Sequence, residues 1–186
     1  MDPIRVGGIG CGPVSTSMHL SAIQRLPELE LVALCDIDET RLAEVASRLG
    51  VSETFVDFEE MLDSGLIDAV SCVGPPSLHV LGASACLRRQ IPFMTEKPLV
   101  LHEEDARALE WLADEFGDCG QVGYTSRCAP AQRVAWNVTR TREFGPICYV
   151  ATTHLSYAGM GPYWDIEDPV EGFVNLHGVH AIDLRR

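Results

Sequence analysis

The chain has 186 residues, 46% apolar and 22% charged, with 27 acidic residues against 14 basic ones and a formal net charge of −13. At roughly 150 residues per domain that is one domain and a remainder, with the composition of a folded chain rather than a disordered or repetitive one. So acidic a chain, with no basic cluster, argues against nucleic acid as a partner. No apolar run approaches the ~20 residues that cross a bilayer, which argues against a membrane.

The first residues, Met1-Asp2-Pro3-Ile4-Arg5, lack the charged start and long apolar run of a secretory leader. The seven cysteines contain no C-x-x-C pair and sit mostly in apolar runs, so no disulfide framework and no zinc site are expected, and a reducing cytoplasm is the expected location.

In chain order, Ile4–Ile9 is a short apolar run ending in glycines, and Ser17–Leu26 carries Met18, Leu20, Ile23 and Leu26 on one helical face. Leu31–Cys35 reads as a buried parallel strand. Glu39–Leu49 reads as a helix stopped by Gly50. Phe55–Val56 is a short strand, and Asp57 caps a helix starting at Phe58–Leu62. Then come a strand at Asp68–Val73, a helix at Leu78–Arg89, a strand at Pro92–Thr95, a helix at Glu103–Phe116 and a strand at Gln121–Tyr124. Strand and helix alternating about five times predict βαβ units: a doubly wound parallel sheet, an α/β Rossmann domain over residues 1–124. Beyond it the pattern changes to a helix at Ala131–Glu143, a longer strand at Ile147–Leu155, a loop rich in Gly, Pro and aromatics, and a helix starting near Phe173.

The first strand runs into Gly7-Gly8-Ile9-Gly10-Cys11-Gly12-Pro13-Val14-Ser15. A dinucleotide fingerprint fits in two registers, from Gly8 or from Gly10, and the second is preferred. Gly10 then makes the tight turn, Gly12 lets the backbone approach a pyrophosphate, and Ser15 is the small residue where helix and strand pack closely. Pro13 and Val14 open the helix whose N–H groups and dipole face the phosphates. The second strand ends in Cys35-Asp36, 21 residues after Ser15, where an acid bonds the adenosine ribose 2′-OH. Asp36 thereby favours NAD; Arg41 close by keeps NADP as the alternative. A second reading makes Asp36 the cap of the following helix. The only lysine, Lys97, stands in Thr95-Glu96-Lys97-Pro98-Leu99 at the carboxyl end of the fifth strand, where ligands gather in such sheets. A lysine there can polarise a substrate oxygen, and it can equally be a solvated turn residue.

Together, the glycine turn, Cys35-Asp36, Pro75-Pro76-x-x-His79, Glu96-Lys97-Pro98, Val122-Gly123-Tyr124 with Arg127 and Pro130, Phe144-Gly145-Pro146-Ile147 and Gly178-Val179-His180-Ala181-Ile182-Asp183 resemble the glucose–fructose oxidoreductase / inositol dehydrogenase / MocA family of NAD(P)-dependent oxidoreductases. The likeness runs from Ile4 to Leu184. It implies hydride transfer between the cofactor and a sugar, polyol or related hydroxy compound, with Lys97 and His180 as the catalytic pair and His180 as acid/base. It also implies that Gly74, Pro75, Pro76 and His79 line the cofactor, that Ile37 joins Asp36 there, and that Glu96 lies near the nicotinamide ribose. Arg127 and Asp183 join Lys97 and His180 in the substrate set.

Two departures qualify this. Many family members carry Asp four residues before the catalytic His, where this chain has Leu176; Asn175 and His177 would point elsewhere on a regular helix. The family also continues into an α+β substrate and oligomerisation domain, of which residues 125–186 are expected to be an incomplete start. The rival to the enzyme is therefore a non-catalytic nucleotide binder or truncated remnant. Of the other histidines, His19, His102 and His154 read as surface or packing residues. His177, His180 and Asp183 share a metal-type spacing, but the resemblance explains His180 and Asp183 without a metal. Tyr157, Tyr163 and Trp164 read equally as a sugar-stacking surface or as loop packing.

Overall fold

A computed structural model describes residues 2–153 and 166–184. The chain divides into two compact units, Met1–Val122 and Gly123–Arg186.

The first unit contains six strands: β1 (Ile4–Ile9), β2 (Leu29–Cys35), β3 (Glu53–Phe55), β4 (Ala69–Cys72), β5 (Phe93–Thr95) and β6 (Gly120–Val122). They form one sheet in the order β3-β2-β1-β4-β5-β6, and every pairing is parallel. The order reverses between β1 and β4, which is the Rossmann switch point. Five helices cross over the faces. The first, α1 (15–23), is π-helical over Ser15–Leu20 and α-helical over Ser21–Ile23. Then come α2 (Glu39–Leu49), α3 (Phe58–Asp63), α4 (Pro76–Arg89) and α5 (Glu103–Phe116).

Local chemistry sets the helix ends. The Asp38 carboxylate accepts the Arg41 N–H to start α2, and Gly50, at φ +70°, stops it. Asp57 caps α3 as the sequence predicts. Pro76 opens α4, where its missing N–H has no intrahelical partner to lose.

Strand residues alternate between two cores, as a doubly wound sheet requires. Val6 and Leu34 pack with Leu20, Ile23, Leu42, Val45 and Ala46 of α1 and α2. Ile9, Ala33, Cys35 and Cys72 pack with Met61, Ala83, Leu109 and Leu112 of α3, α4 and α5.

The regular elements described in the second unit are helical: a 3₁₀ turn at Thr125–Cys128, α6 (Pro130–Thr139), and α7 (169–183). The last comprises Pro169–Phe173, a π-helical turn at Val174–Gly178, and Val179–Asp183. Helix α6 buries no residue, and Val134, Trp136 and Val138 are exposed on it. The expected strand at Ile147–Leu155 is corrected: residues 147–153 form no regular structure. A strand needs a partner for its ladder, and none is paired with this segment among the described residues. Residues 154 and 155, and the aromatic loop with Tyr157, Tyr163 and Trp164, lie outside the described residues. Among the described residues, no helix is long and apolar enough to cross a membrane.

Candidate functional site

Hydrogen bonds between neighbouring strand ends gather the motifs along one edge of the sheet. The Gly10 N–H donates to the Cys35 carbonyl (2.8 Å), the Val73 N–H to the Ile9 carbonyl (2.9 Å), and the Glu96 N–H to the Cys72 carbonyl (3.1 Å). The glycine turn, Asp36, Gly74-Pro75-Pro76 and Glu96-Lys97 therefore all follow the carboxyl ends of adjacent strands, where open α/β sheets hold ligands.

The backbone of the glycine turn suits the register from Gly10. Gly10 has φ +90°, and a Cβ there would lie 2.0 Å from the Val73 carbonyl oxygen, so only glycine fits. A Cβ on Gly12 would meet nothing within 4 Å. Its face is open, as close approach of a pyrophosphate requires. Ser15 is fully buried, in keeping with close helix–strand packing, whereas Val14 is half exposed. The backbone and the open Gly12 face thus suit a dinucleotide phosphate at the start of α1.

Asp36 is 8% exposed, and both carboxylate oxygens are occupied. Oδ2 accepts the Cys11 N–H (2.7 Å) and Arg41 Nε (3.1 Å); Oδ1 accepts the Asp38 N–H (2.9 Å) and Arg41 Nη2 (2.8 Å). Burial alone raises such a carboxyl's pKa, but the Arg41 bond and the two backbone amides outweigh it and hold Asp36 below its ordinary range. The alternative role as a helix cap goes instead to Asp38. Ile37, next along, is 90% exposed, an apolar surface beside the position expected for the adenosine.

His79 is fully buried. Its Nε2 accepts the Gly74 N–H (3.1 Å), which leaves the proton on Nδ1 to be donated to the Pro98 carbonyl (2.8 Å). Direct lining of the cofactor by His79 is therefore corrected: the ring has no open face, and it clamps the loop after β4 to the segment after β5. Burial, above all, pushes its pKa down and keeps it neutral. Pro76 is likewise buried in the first turn of α4, while Pro75 is exposed.

Glu96 is nearly dry. Its Oε1 lies 3.1 Å from Nε2 of His19 on α1, and its Oε2 accepts the Lys97 N–H (2.9 Å). Burial opposes its ionisation, but the His19 bond and the Lys97 amide outweigh that and lower its pKa. Lys97 is half-buried and precedes the cis peptide to Pro98. His19 was not expected at the site. The only hint in the sequence is its place four residues after Ser15, one helical turn beyond the glycine turn.

In the second unit, Arg127 and Asp183 find each other. Arg127 Nε donates to Oδ2 (2.5 Å) and Nη2 to Oδ1 (2.6 Å), and Asp183 is 5% exposed. His180 lies edge-on to Tyr124, with ring centroids 6.5 Å apart. Leu176 is buried within the π-helical turn, whose closing Val179 N–H reaches back five residues to the Val174 carbonyl. The angular spacing used to direct Asn175 and His177 away from His180 is that of a regular α-helix, and this turn departs from it. Among the described residues no group of three His, Cys, Asp or Glu is arranged to hold a metal ion, and both oxygens of Asp183 already face Arg127.

The model of the oxidoreductase family with an NAD-binding Rossmann fold (GFO_IDH_MocA) matches residues 4–124. The chain belongs to this family. It is 34% identical over 134 residues to an inositol 2-dehydrogenase of Rubrobacter xylanophilus, covering 71% of this chain and 38% of that protein. It is 32% identical over 186 residues to a D-glucoside 3-dehydrogenase of Escherichia coli, covering 97% of this chain and 52% of that protein. The chain thus spans about half or less of these relatives' length. Among solved structures, the scyllo-inositol dehydrogenase of Lactobacillus casei with bound NAD(H) and scyllo-inositol superposes with a TM-score of 0.70 at 25% identity, over 77% of this chain and 42% of that one. The family's NAD-binding domain is therefore the six-stranded unit, with the glycine turn at Gly10–Gly12 and the Glu-Lys-Pro segment on its ligand-gathering edge.

Proposed function

We propose that this chain carries the cofactor half of an NAD-dependent oxidoreductase acting on a sugar, polyol or related hydroxy compound, with NADP as the alternative cofactor. The observation that carries this reading is the single sheet edge that collects the open Gly12 turn, Asp36 and Glu96-Lys97. Similarity to dehydrogenases of inositol and glucoside supports the substrate class.

Bound NAD supplies a hydride acceptor at its nicotinamide ring. The turn of Gly10, Gly12, Pro13 and Val14 holds the phosphates: the N–H groups of Gly12 and Val14 and the helix dipole face them, while Gly10 makes the turn and Pro13, which has no N–H, opens the helix. Asp36 takes the adenosine ribose beside Ile37 and Arg41, and Glu96 lies at the nicotinamide ribose. The Lys97 ammonium polarises the reacting oxygen, and the His180 imidazole accepts the hydroxyl proton as the carbon is oxidised. Arg127 and Asp183 belong to the substrate side as a pair, and residues 125–186 to the substrate and oligomerisation domain, through which copies of the protein assemble. The cytoplasm is the proposed location.

Leu176, in the place of an expected Asp, favours a second reading, in which the chain binds NAD without turnover. NADH titration followed by a screen of sugars and polyols, read by nicotinamide absorbance, separates the two. Turnover abolished by Lys97→Ala with NAD affinity retained supports the enzyme; binding with no turnover of any compound supports the second reading. No NAD binding at millimolar concentration overturns both.

A further inference from the structure

We propose that His19 is a positioning residue for the nicotinamide end of the cofactor site, acting through the Glu96 carboxylate. The inference rests on the NAD-binding reading above. It starts from a contact across the sheet edge: His19 leaves α1, which follows β1, and Glu96 follows β5, with β4 lying between those two strands.

The two side chains are 11% and 13% exposed, so water competes little for their bond. An ionised carboxylate only accepts, so Nε2 of His19 carries the proton and donates. Each Glu96 oxygen then has one fixed partner: Oε1 the imidazole, Oε2 the Lys97 amide. The carboxylate can rotate away only by giving up both. The charged or titratable groups acting on this carboxylate are His19, Lys97 and His79.

One side chain therefore sets the distance between the helix that follows the glycine turn and the segment that carries Lys97. A dinucleotide laid along this edge needs both ends fixed together. Losing the imidazole frees Glu96 to turn, so the cofactor must order it again on binding. A wholly structural His19 would act through packing, and any side chain of similar size would replace it. A positioning His19 acts through its N–H, and only a donor at the same reach replaces it. Gln supplies an amide N–H there, and Met supplies similar bulk without one.

The test uses the full 186-residue chain. NADH binding is followed by nicotinamide fluorescence, alongside thermal melting, for the unaltered chain, His19→Met, His19→Leu, His19→Gln, Glu96→Gln and the His19→Leu/Glu96→Gln pair. His19→Met is expected to weaken NADH binding about tenfold, the worth of one hydrogen bond to a charged group. His19→Gln is expected to restore it to within about threefold, at a melting temperature within about 2 °C of the Met variant. Should the Met variant fail to fold, the remaining variants decide. Glu96→Gln weakens binding, and adding His19→Leu, which has no donor, to it costs less than His19→Leu costs in the unaltered chain, because the two residues act as one unit. The role is overturned if His19→Met binds NADH as tightly as the unaltered chain, if Gln rescues no better than Met, or if the two substitutions add independently. Failure of the unaltered chain to bind NADH overturns the cofactor reading itself, and the positioning role with it.

Discussion

His79→Leu tests whether a buried neutral imidazole holds the two cofactor loops together. The substitution keeps similar volume but removes the acceptor for the Gly74 N–H and the donor to the Pro98 carbonyl. Each orphaned buried partner costs about 1–3 kcal/mol. Gly74 is only half-buried, so its amide recovers some hydration, and about 2–4 kcal/mol is the expected loss at pH 8. The pH dependence is the sharper part. Burial holds the folded pKa of His79 below the ordinary value of 6.5. Above about pH 6.5 the ring is neutral in both states and its stabilisation is complete. As the pH falls below that value the unfolded chain takes up the proton first, so stability is lost until the folded ring protonates too. The limit is about 1.4 kcal/mol per pH unit. Urea unfolding of the unaltered chain and of His79→Leu at pH 8 and pH 5.5 isolates this contribution, since the remaining carboxylates and histidines titrate in both proteins. The stability gap between the two should shrink by up to about 1.4 kcal/mol at pH 5.5. A gap of the same size at both pH values would refute the neutral-clamp assignment.

The glycine turn gives a contrasting pair. Gly10→Ala drives a methyl against the Val73 carbonyl at a positive φ, so it should destabilise the fold by more than about 2 kcal/mol in urea titration. Gly12→Ala meets no protein atom, so it should leave the urea midpoint unchanged and weaken NADH binding. Asp36→Ser removes the carboxylate that holds Arg41, so the ratio of NADPH to NADH affinity should rise about tenfold or more, measured by paired fluorescence titrations. Arg127→Met strands a buried Asp183 carboxylate. Because the Arg127 side chain is itself half exposed, the loss of the pair should cost about 2 kcal/mol rather than the larger cost of a wholly buried pair. Arg127→Lys should recover only part of it in the same denaturation assay, since the bidentate geometry is lost.

The elements most legible in the sequence were those with strong local signals. The Glu39–Leu49 and Glu103–Phe116 helices have the residue bounds read from periodicity and caps, and β1 and β2 each end in a buried run without charged residues, as parallel strands covered on both faces do. The strand expected at Ile147–Leu155 is irregular over residues 147–153, because alternating apolar residues give strand propensity while a ladder also needs a partner, and none is paired with this segment among the described residues. The first helix, expected at Ser17–Leu26, runs from Ser15 to Ile23, and the last, expected from near Phe173, starts at Pro169; each contains a π-helical turn that a 3.6-residue period does not register.

By itself the sequence determined the doubly wound class, the glycine turn and the acid after the second strand, because those depend on spacing along the chain and on backbone demands that few residue types meet. Only the tertiary structure decided what His19 and His79 contact. His79, expected to line the cofactor, is sealed beneath the loops and joins Gly74 to Pro98; His19, expected to be incidental, meets Glu96 from 77 residues away in sequence. Which strand ends lie side by side is fixed by the sheet order, and until that order is known a histidine's hydrogen-bond partners cannot be assigned.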